Sequence, residues 1–212
     1  MTTSMTLNEL ELDALTELVN LGISQAAHSL AKMVRQEVIL SVPKVTLVPR
    51  EVAIAILNEK EMKTLVAVHQ IFEGDITGRA LLIFPEAKSL ELVKAVIGRD
   101  LSIEEIIELE PEALAETGNV ILNGCLATMA NLLERSLRIS LPEVIRGETA
   151  EFFNLQPPPE AGDTVMLIYI NFSVRTLSID GYIAMLMDMP SLAAMQGLLR
   201  EFIRRTSGTP AA

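Results

Sequence analysis

The sequence predicts an α+β fold built from two αβββα units related by a pseudo-twofold axis. Their strands merge into one β-sheet, and two long helices lie on one face of it. Three observations lead there: an internal repeat, helical periodicity at the start of each copy, and a train of strand-like segments after it.

The repeat comes first, because a missed repeat misassigns a whole fold. Shifted by 99 positions, Glu9, Leu10 and Glu11 fall on Glu108, Leu109 and Glu110. Ala14, Leu15, Glu17 and Asn20 fall on Ala113, Leu114, Glu116 and Asn119, and Ala31, Ser41 and Pro43 on Ala130, Ser140 and Pro142. These are ten identities in 35 ungapped positions, several of them polar, which shared hydrophobic patterning alone would not produce.

Each copy opens with a long helix. Leu12, Leu15, Val19, Ile23, Ala26, Leu30 and Met33 follow the three-and-four spacing of one helical face over residues 8–36. Leu114, Ile121, Cys125, Met129 and Leu132 do the same in the second copy. Strand-like segments follow, rich in Val, Ile, Leu and Thr. In the first copy they are Val38–Pro49, Val52–Leu57, Thr64–Phe72 and Ile76–Phe84, and in the second Glu143–Phe153, Thr164–Val174 and Leu177–Met187. Each copy closes on a glycine, a strand and a proline opening a last helix, to about Val96 after Pro85 and to about Arg205 after Pro190. Pro157, Pro158 and Pro159 predict a surface loop, and Thr206–Ala212 a frayed tail. Neither half alone, at about 100 residues, is expected to bury a convincing core. We therefore expect a single domain over 1–212, with repeats at about 8–98 and 107–205.

Composition narrows the function. Half of the 212 residues are hydrophobic and 21% are charged, an ordinary globular balance. A net charge of −11 repels phosphate backbones and anionic lipid, so nucleic acid and membrane are poor partners. Cys125, the one cysteine, has no disulfide partner within the chain, which suits a reducing cytosol. Met1–Glu11 lacks the basic and apolar regions of a signal peptide, and no apolar run reaches the roughly 18 residues of a membrane span. A cytoplasmic protein is expected.

The residues that point to chemistry are polar ones inside the two long helices. Asp13, Glu17 and Asn20 stand at offsets of four and three, so they share one helix face beside the apolar stripe. Carboxylates four residues apart repel, and an Asn or Gly within a helix costs about 0.5–1 kcal/mol relative to Ala, so stability alone does not select this set. The second helix nonetheless repeats it as Glu112, Glu116 and Asn119, followed by Asn123. A single Glu-x-x-Asn on an exposed face says little. The repetition, with a proline 23 positions beyond each Asn, says more.

This pattern, (Asp/Ser)-x-x-x-Glu-x-x-Asn-x22-Pro, resembles the signature of the CheC/CheX/FliY family of chemotaxis phosphatases. Asp13, Glu17, Asn20 and Pro43 match it in full, whereas in the second copy Glu112 replaces the expected Asp or Ser before Glu116, Asn119 and Pro142. Two motif copies look more like CheC than like CheX, which carries one, and 212 residues leave no room for the extra switch domain of FliY. The resemblance covers nearly the whole chain. It implies an enzyme of two-component signalling, a hydrolase that dephosphorylates the aspartyl phosphate of a CheY-like response regulator. Asn20 or Asn119 would align the attacking water, and Glu17 or Glu116 would dock on the receiver's lysine. Asp13 and Glu112 would support that geometry, and Pro43 and Pro142 would end the segment after each helix. No cofactor or metal of its own is implied, since Mg²⁺ would sit in the receiver. The alternative is a weakly catalytic or non-catalytic regulator that binds a CheD-type deamidase or a phosphorylated receiver.

Other candidates carry less. His28 and His69 are isolated from any Cys and read as a surface and a strand residue. Cys125 lies on the apolar face and reads as a buried structural thiol. Gly74 and Gly78 lack the lysine of a phosphate loop, Asp100–Glu112 reads as a solvated linker and helix start, and Met185, Met187 and Met189 read as core or strand.

Overall fold

Both copies fold as expected in outline, and their strands pair into one antiparallel sheet. The structure, a computed structural model, describes residues 7–59, 64–97, 102–154, 164–174 and 177–207, without the side chains at 43, 174 and 177. The first copy comprises α1 (Glu9–Val34), β1 (Val38–Pro49), α2 (Arg50–Glu59), β2 (Leu65–Gly74), β3 (Gly78–Pro85), a short 3-10 turn and α3 (Ser89–Ile97). The second comprises α4 (Ile103–Leu132), β4 (Leu137–Ile139), β5 (Glu143–Gly147), α5 (Thr149–Phe153), β6 (Thr164–Val174), β7 (Leu177–Met187) and α6 (Met189–Thr206).

The strand order is β1-β6-β7-β3-β2-β4, with β5 also paired to β2. The two hairpins β2–β3 and β6–β7 meet at β3 and β7, on the pseudo-twofold axis. Each outer strand has crossed to the other copy's hairpin: β1 pairs with β6, and β4 and β5 pair with β2. The copies are thereby interlocked, because neither hairpin has its outer neighbour without the other half.

Alternation along the strands sorts side chains onto two faces. Val66, Val68 and Phe72 of β2 face a core shared with α1, α3, α4 and α6. Leu65 and Ala67, with Leu81, Ile83, Val165 and Leu186, face a smaller core closed by α2 and α5. The two long motif-bearing helices therefore share one face, as the sequence predicts.

Several elements differ from expectation. Val52–Leu57, read as a strand, lies in helix α2, where Ala53 and Leu57 are buried at a spacing of four. The segment Glu143–Phe153 divides into β5 and α5, the counterpart of α2, so each unit carries a short helix after its first strand. Helix α4 begins at Ile103, capped by Ser102 with Glu105, and runs through Pro111. Met33 is 37% exposed while its neighbour Val34 is buried, which ends the apolar stripe of α1 one residue later than predicted. Pro85 is both the last residue of β3 and the N-cap of the 3-10 turn that runs into α3, and Pro190 stands in the first turn of α6. The triple proline and all of the tail beyond Ser207 lie outside the described residues.

One of the repeated identities has a structural cause. Glu11 is only 2% exposed. It accepts hydrogen bonds from the Asn8 N–H (3.0 Å), Gln196 Nε2 (2.8 Å) and Arg200 Nε (2.6 Å), which pins α6 to the start of α1. Its counterpart Glu110 bonds Ser89 of α3 and pairs with Arg146 of β5 at 2.8 Å. In each copy the same glutamate fastens the last helix of one unit against the first.

Burial opposes the charge on Glu11, but the bonds from Gln196, Arg200 and Asn8 outweigh it and hold the carboxyl below its usual value. A carboxyl depressed in the folded state stabilises above the ordinary Glu range and loses that contribution as pH falls through the folded value. Glu11→Ala is expected to cost about 2 kcal/mol at pH 7, from the stranded partners and the vacated space. In urea denaturation series the gap between wild type and variant should shrink steadily below pH 4.5. A gap independent of pH would show that the carboxylate charge contributes nothing.

Candidate functional site

The site residues stand on α1 and α4, and the way these helices meet decides what each can do. At their crossing the backbones nearly touch. A Cβ placed on Gly22 would lie 2.9 Å from the Cα of Cys125, and one on Gly124 would lie 2.9 Å from the Cα of Ala26. Small residues at these positions let the helices pack without a layer of side chains between them. Cys125 is fully buried at this contact, and burial pushes its thiol up to about 12, so it is no nucleophile at neutral pH.

Asp13, Glu17 and Asn20 run along α1, the two acids exposed and Asn20 half-buried. Glu112, Glu116 and Asn119 run along α4 with the same exposures. Among the described residues none of the four carboxylates makes an ion pair or side-chain hydrogen bond, and neither does Asn20. Each helix thus presents unpaired acids to solvent, with an amide one turn beyond the second. Of the two prolines, Pro43 lies within edge strand β1, where the pairing with β6 shifts register between Ser41 and Lys44. Pro142 lies in the matching break between β4 and β5. Both interrupt a strand rather than ending the segment after a helix, a position that suits a residue without an N–H.

The two sites are not copies of one another. Asn119 Oδ1 accepts from Gln70 Nε2 at 3.1 Å and from Asn123 Nδ2 at 2.7 Å. The same Gln70 Nε2 donates to the carbonyl of Ser140 at 2.8 Å. Ser140 in turn is fixed to β2, its N–H bonding the Ile71 carbonyl and its Oγ accepting from the Ile71 N–H, both at 2.9 Å. The link from Gln70 was not legible in the sequence, where Gln70 is one polar residue in a strand. What makes it reachable is Gly118: a Cβ there would stand 2.4 Å from Val68 Cβ. Helix α4 lies directly on β2 at that point. In α1 the aligned residue is Val19.

Between the helices runs a groove walled by Leu21, Gln25 and Ser29 on α1 and by Asn119, Asn123 and Thr128 on α4, all of them uncharged. His28 is exposed, as expected. His69 is 7% exposed on β2, and burial, the larger influence, lowers its pKa against the opposing pull of Glu143. Among the described residues no group of three His, Cys, Asp or Glu is gathered as a metal would require. None of the described helices is long and apolar enough to cross a membrane.

The profile of the CheC-like family matches residues 10–47, the segment that holds Asp13, Glu17, Asn20 and Pro43. The CheY-P phosphatase CheC of Bacillus subtilis is 26% identical over 141 residues, 65% of this chain and 67% of that protein. The flagellar motor switch phosphatase FliY of the same organism is 23% identical over 171 residues, 80% of this chain but only 43% of FliY. The crystal structure of Thermotoga maritima FliY superposes with a TM-score of 0.73 at 17% identity, covering 93% of this chain and all of that one. This last likeness is one of fold.

Gly118→Ala is expected to push α4 off β2 or strain Val68, at a cost of about 1–3 kcal/mol. Thermal and urea unfolding measure it. An unchanged stability would mean that the contact between α4 and Val68 is looser than described.

Proposed function

From the similarity in sequence to CheC and FliY and in fold to FliY, we propose that the chain is a phosphatase of phosphorylated CheY-like response regulators. The observation that carries this reading is the repeated pair of an exposed, unpaired Glu and an Asn one turn further along two neighbouring helices. The substrate is an acyl phosphate on the receiver's aspartate, held there with the receiver's own Mg²⁺. Water attacks phosphorus, the bond from phosphorus to the carboxylate oxygen breaks, and aspartate and inorganic phosphate are released. Such a reaction needs positioning more than covalent help.

A free amide suits this task. Asn20 can accept a hydrogen bond from the attacking water while its NH2 group donates to a phosphoryl oxygen, and it adds no charge to an already anionic centre. Glu17, unpaired in the free protein, has its charge available for the receiver's lysine. Because neither group has to abandon a partner, docking carries little cost in broken bonds. Asp13, and Glu112 with Glu116 on α4, extend the negative surface that meets the receiver's cationic site. Asn119 is different. Both lone pairs of its carbonyl are engaged, so it presents donors only.

The lifetime of a phosphorylated receiver tests this. Wild type should shorten it, and Asn20→Ala with Asn119→Ala together should abolish the effect, a loss of about a hundredfold or more. Of the single variants, Asn20→Ala should lose the larger share. An unchanged lifetime with wild type, or a double variant of full activity, would overturn the reading and leave a binding protein.

A further inference from the structure

The two halves differ at the place where the Asn of each site meets the sheet. Ser140 pairs with Ile71 on β2, and its repeat counterpart Ser41 pairs with Asn171 on β6. The residues one step earlier, Gln70 and Ile170, are therefore equivalent positions of the two hairpins. Both are buried on the face that carries the long helices, Gln70 with 0% and Ile170 with 2% exposure. One offers an amide, the other only hydrocarbon. Asn123 likewise has Ser24 as its counterpart, and Ser24 is exposed on α1. The donor that Gln70 supplies is thus missing from the first half, and the exposed Ser24 hydroxyl makes no hydrogen bond to Asn20.

A buried Gln is costly unless its polar atoms are satisfied. Gln70 Oε1 has no partner among the described residues, so this side chain is not explained by its own hydrogen-bond balance. What it does achieve is to hold two carbonyls, those of Asn119 and Ser140, with one NH2 group.

We infer that Gln70 is a positioning residue that restrains the second site, locking the Asn119 amide with its carbonyl inward so that it donates but does not accept. This rests on the phosphatase reading for its consequence, not for its geometry. A locked amide can still bond a phosphoryl oxygen and hold a receiver. It lacks the acceptor that would orient a water hydrogen. The first site, with Asn20 free, turns substrate over, and the second engages it and turns it over slowly. Replacing Gln70 by a side chain of similar shape without donors returns one of the two Asn119 lone pairs.

The lock is read directly from side-chain amide relaxation in the ¹⁵N-labelled full chain. In wild type the Asn119 NH2 group should be rigid and that of Asn20 mobile, and in Gln70→Met the Asn119 signal should move toward the mobile class. Equal mobility in wild type would overturn the lock without recourse to any variant. The consequence is read in kinetics. In an Asn20→Ala background, Gln70→Met should raise kcat for receiver dephosphorylation about tenfold with KM unchanged, the scale on which orientation of reacting groups acts. In an Asn119→Ala background it should change nothing. A residue that merely supports the fold would lower activity in both backgrounds, and that result, or an unchanged kcat in the first, overturns the restraint. A wild-type chain inactive toward the receiver overturns the enzymatic reading alone, since the relaxation comparison decides the lock by itself.

Discussion

Helices α1 and α4 cross with backbone against backbone, and the larger core is assembled around that contact. Gly22 faces Cys125 and Gly124 faces Ala26 at distances that leave no room for a β-carbon. Because the crossing is this close, the stripes that hold Glu17 with Asn20 and Glu116 with Asn119 are carried on one rigid pair rather than on two independent helices. The pair needs a broad apolar floor beneath it. The merged sheet supplies that floor through Val66, Val68, Phe72, Met166, Ile168 and Ile183, more than one hairpin provides. A duplicated helix, packed on its own copy, thus accounts for the duplicated sheet below it.

Interlocking follows from the same geometry. Each outer strand crosses to the other copy's hairpin, and Glu11 and Glu110 fasten α6 and α3 to the two long helices. Those carboxylates are polar groups within the packed structure, and each is met by more than one donor, the condition under which burial of a charge is tolerated. The acids of the candidate site are the reverse: exposed, unpaired and free to meet a cation from outside. Within one helix, then, Glu11 and Glu17 have opposite roles, and the difference lies in what faces them.

Much of this was legible in the sequence. The identities at 99 positions, the helical stripes and the turn residues were enough to place two long helices and two trains of strands, and spacing alone put Asp13, Glu17 and Asn20 on one face. Local pattern failed where tertiary context decides. Val52–Leu57 has the composition of a strand, but Ala53 and Leu57 cover the second face of the sheet at helical spacing. The repeat also conceals a shift: the Ser41 and Ser140 pairings show β2 and β6 to be related by 100 positions rather than 99. At a shift of 99 Gln70 falls on Tyr169, which lies on the opposite face, so its true counterpart Ile170 is invisible without the register. The bond between Gln70 and Asn119 spans 49 residues, a distance no window of sequence reads.

A duplication begins with two equal sites, and the physical question is what makes them unequal afterwards. Here the difference starts with one side chain, Val19 in α1 against Gly118 in α4. Without a β-carbon, α4 settles onto Val68, and that brings Asn119 within reach of a strand residue for which α1 has no polar equivalent. Once within reach, the amide carbonyl takes hydrogen bonds from both Gln70 and Asn123. The restraint is thus a consequence of packing before it is a matter of chemistry. On the proposed reading the chemistry follows from it: an amide held by the fold keeps its recognition of an anion and gives up the half of its hydrogen-bonding that would steer a water.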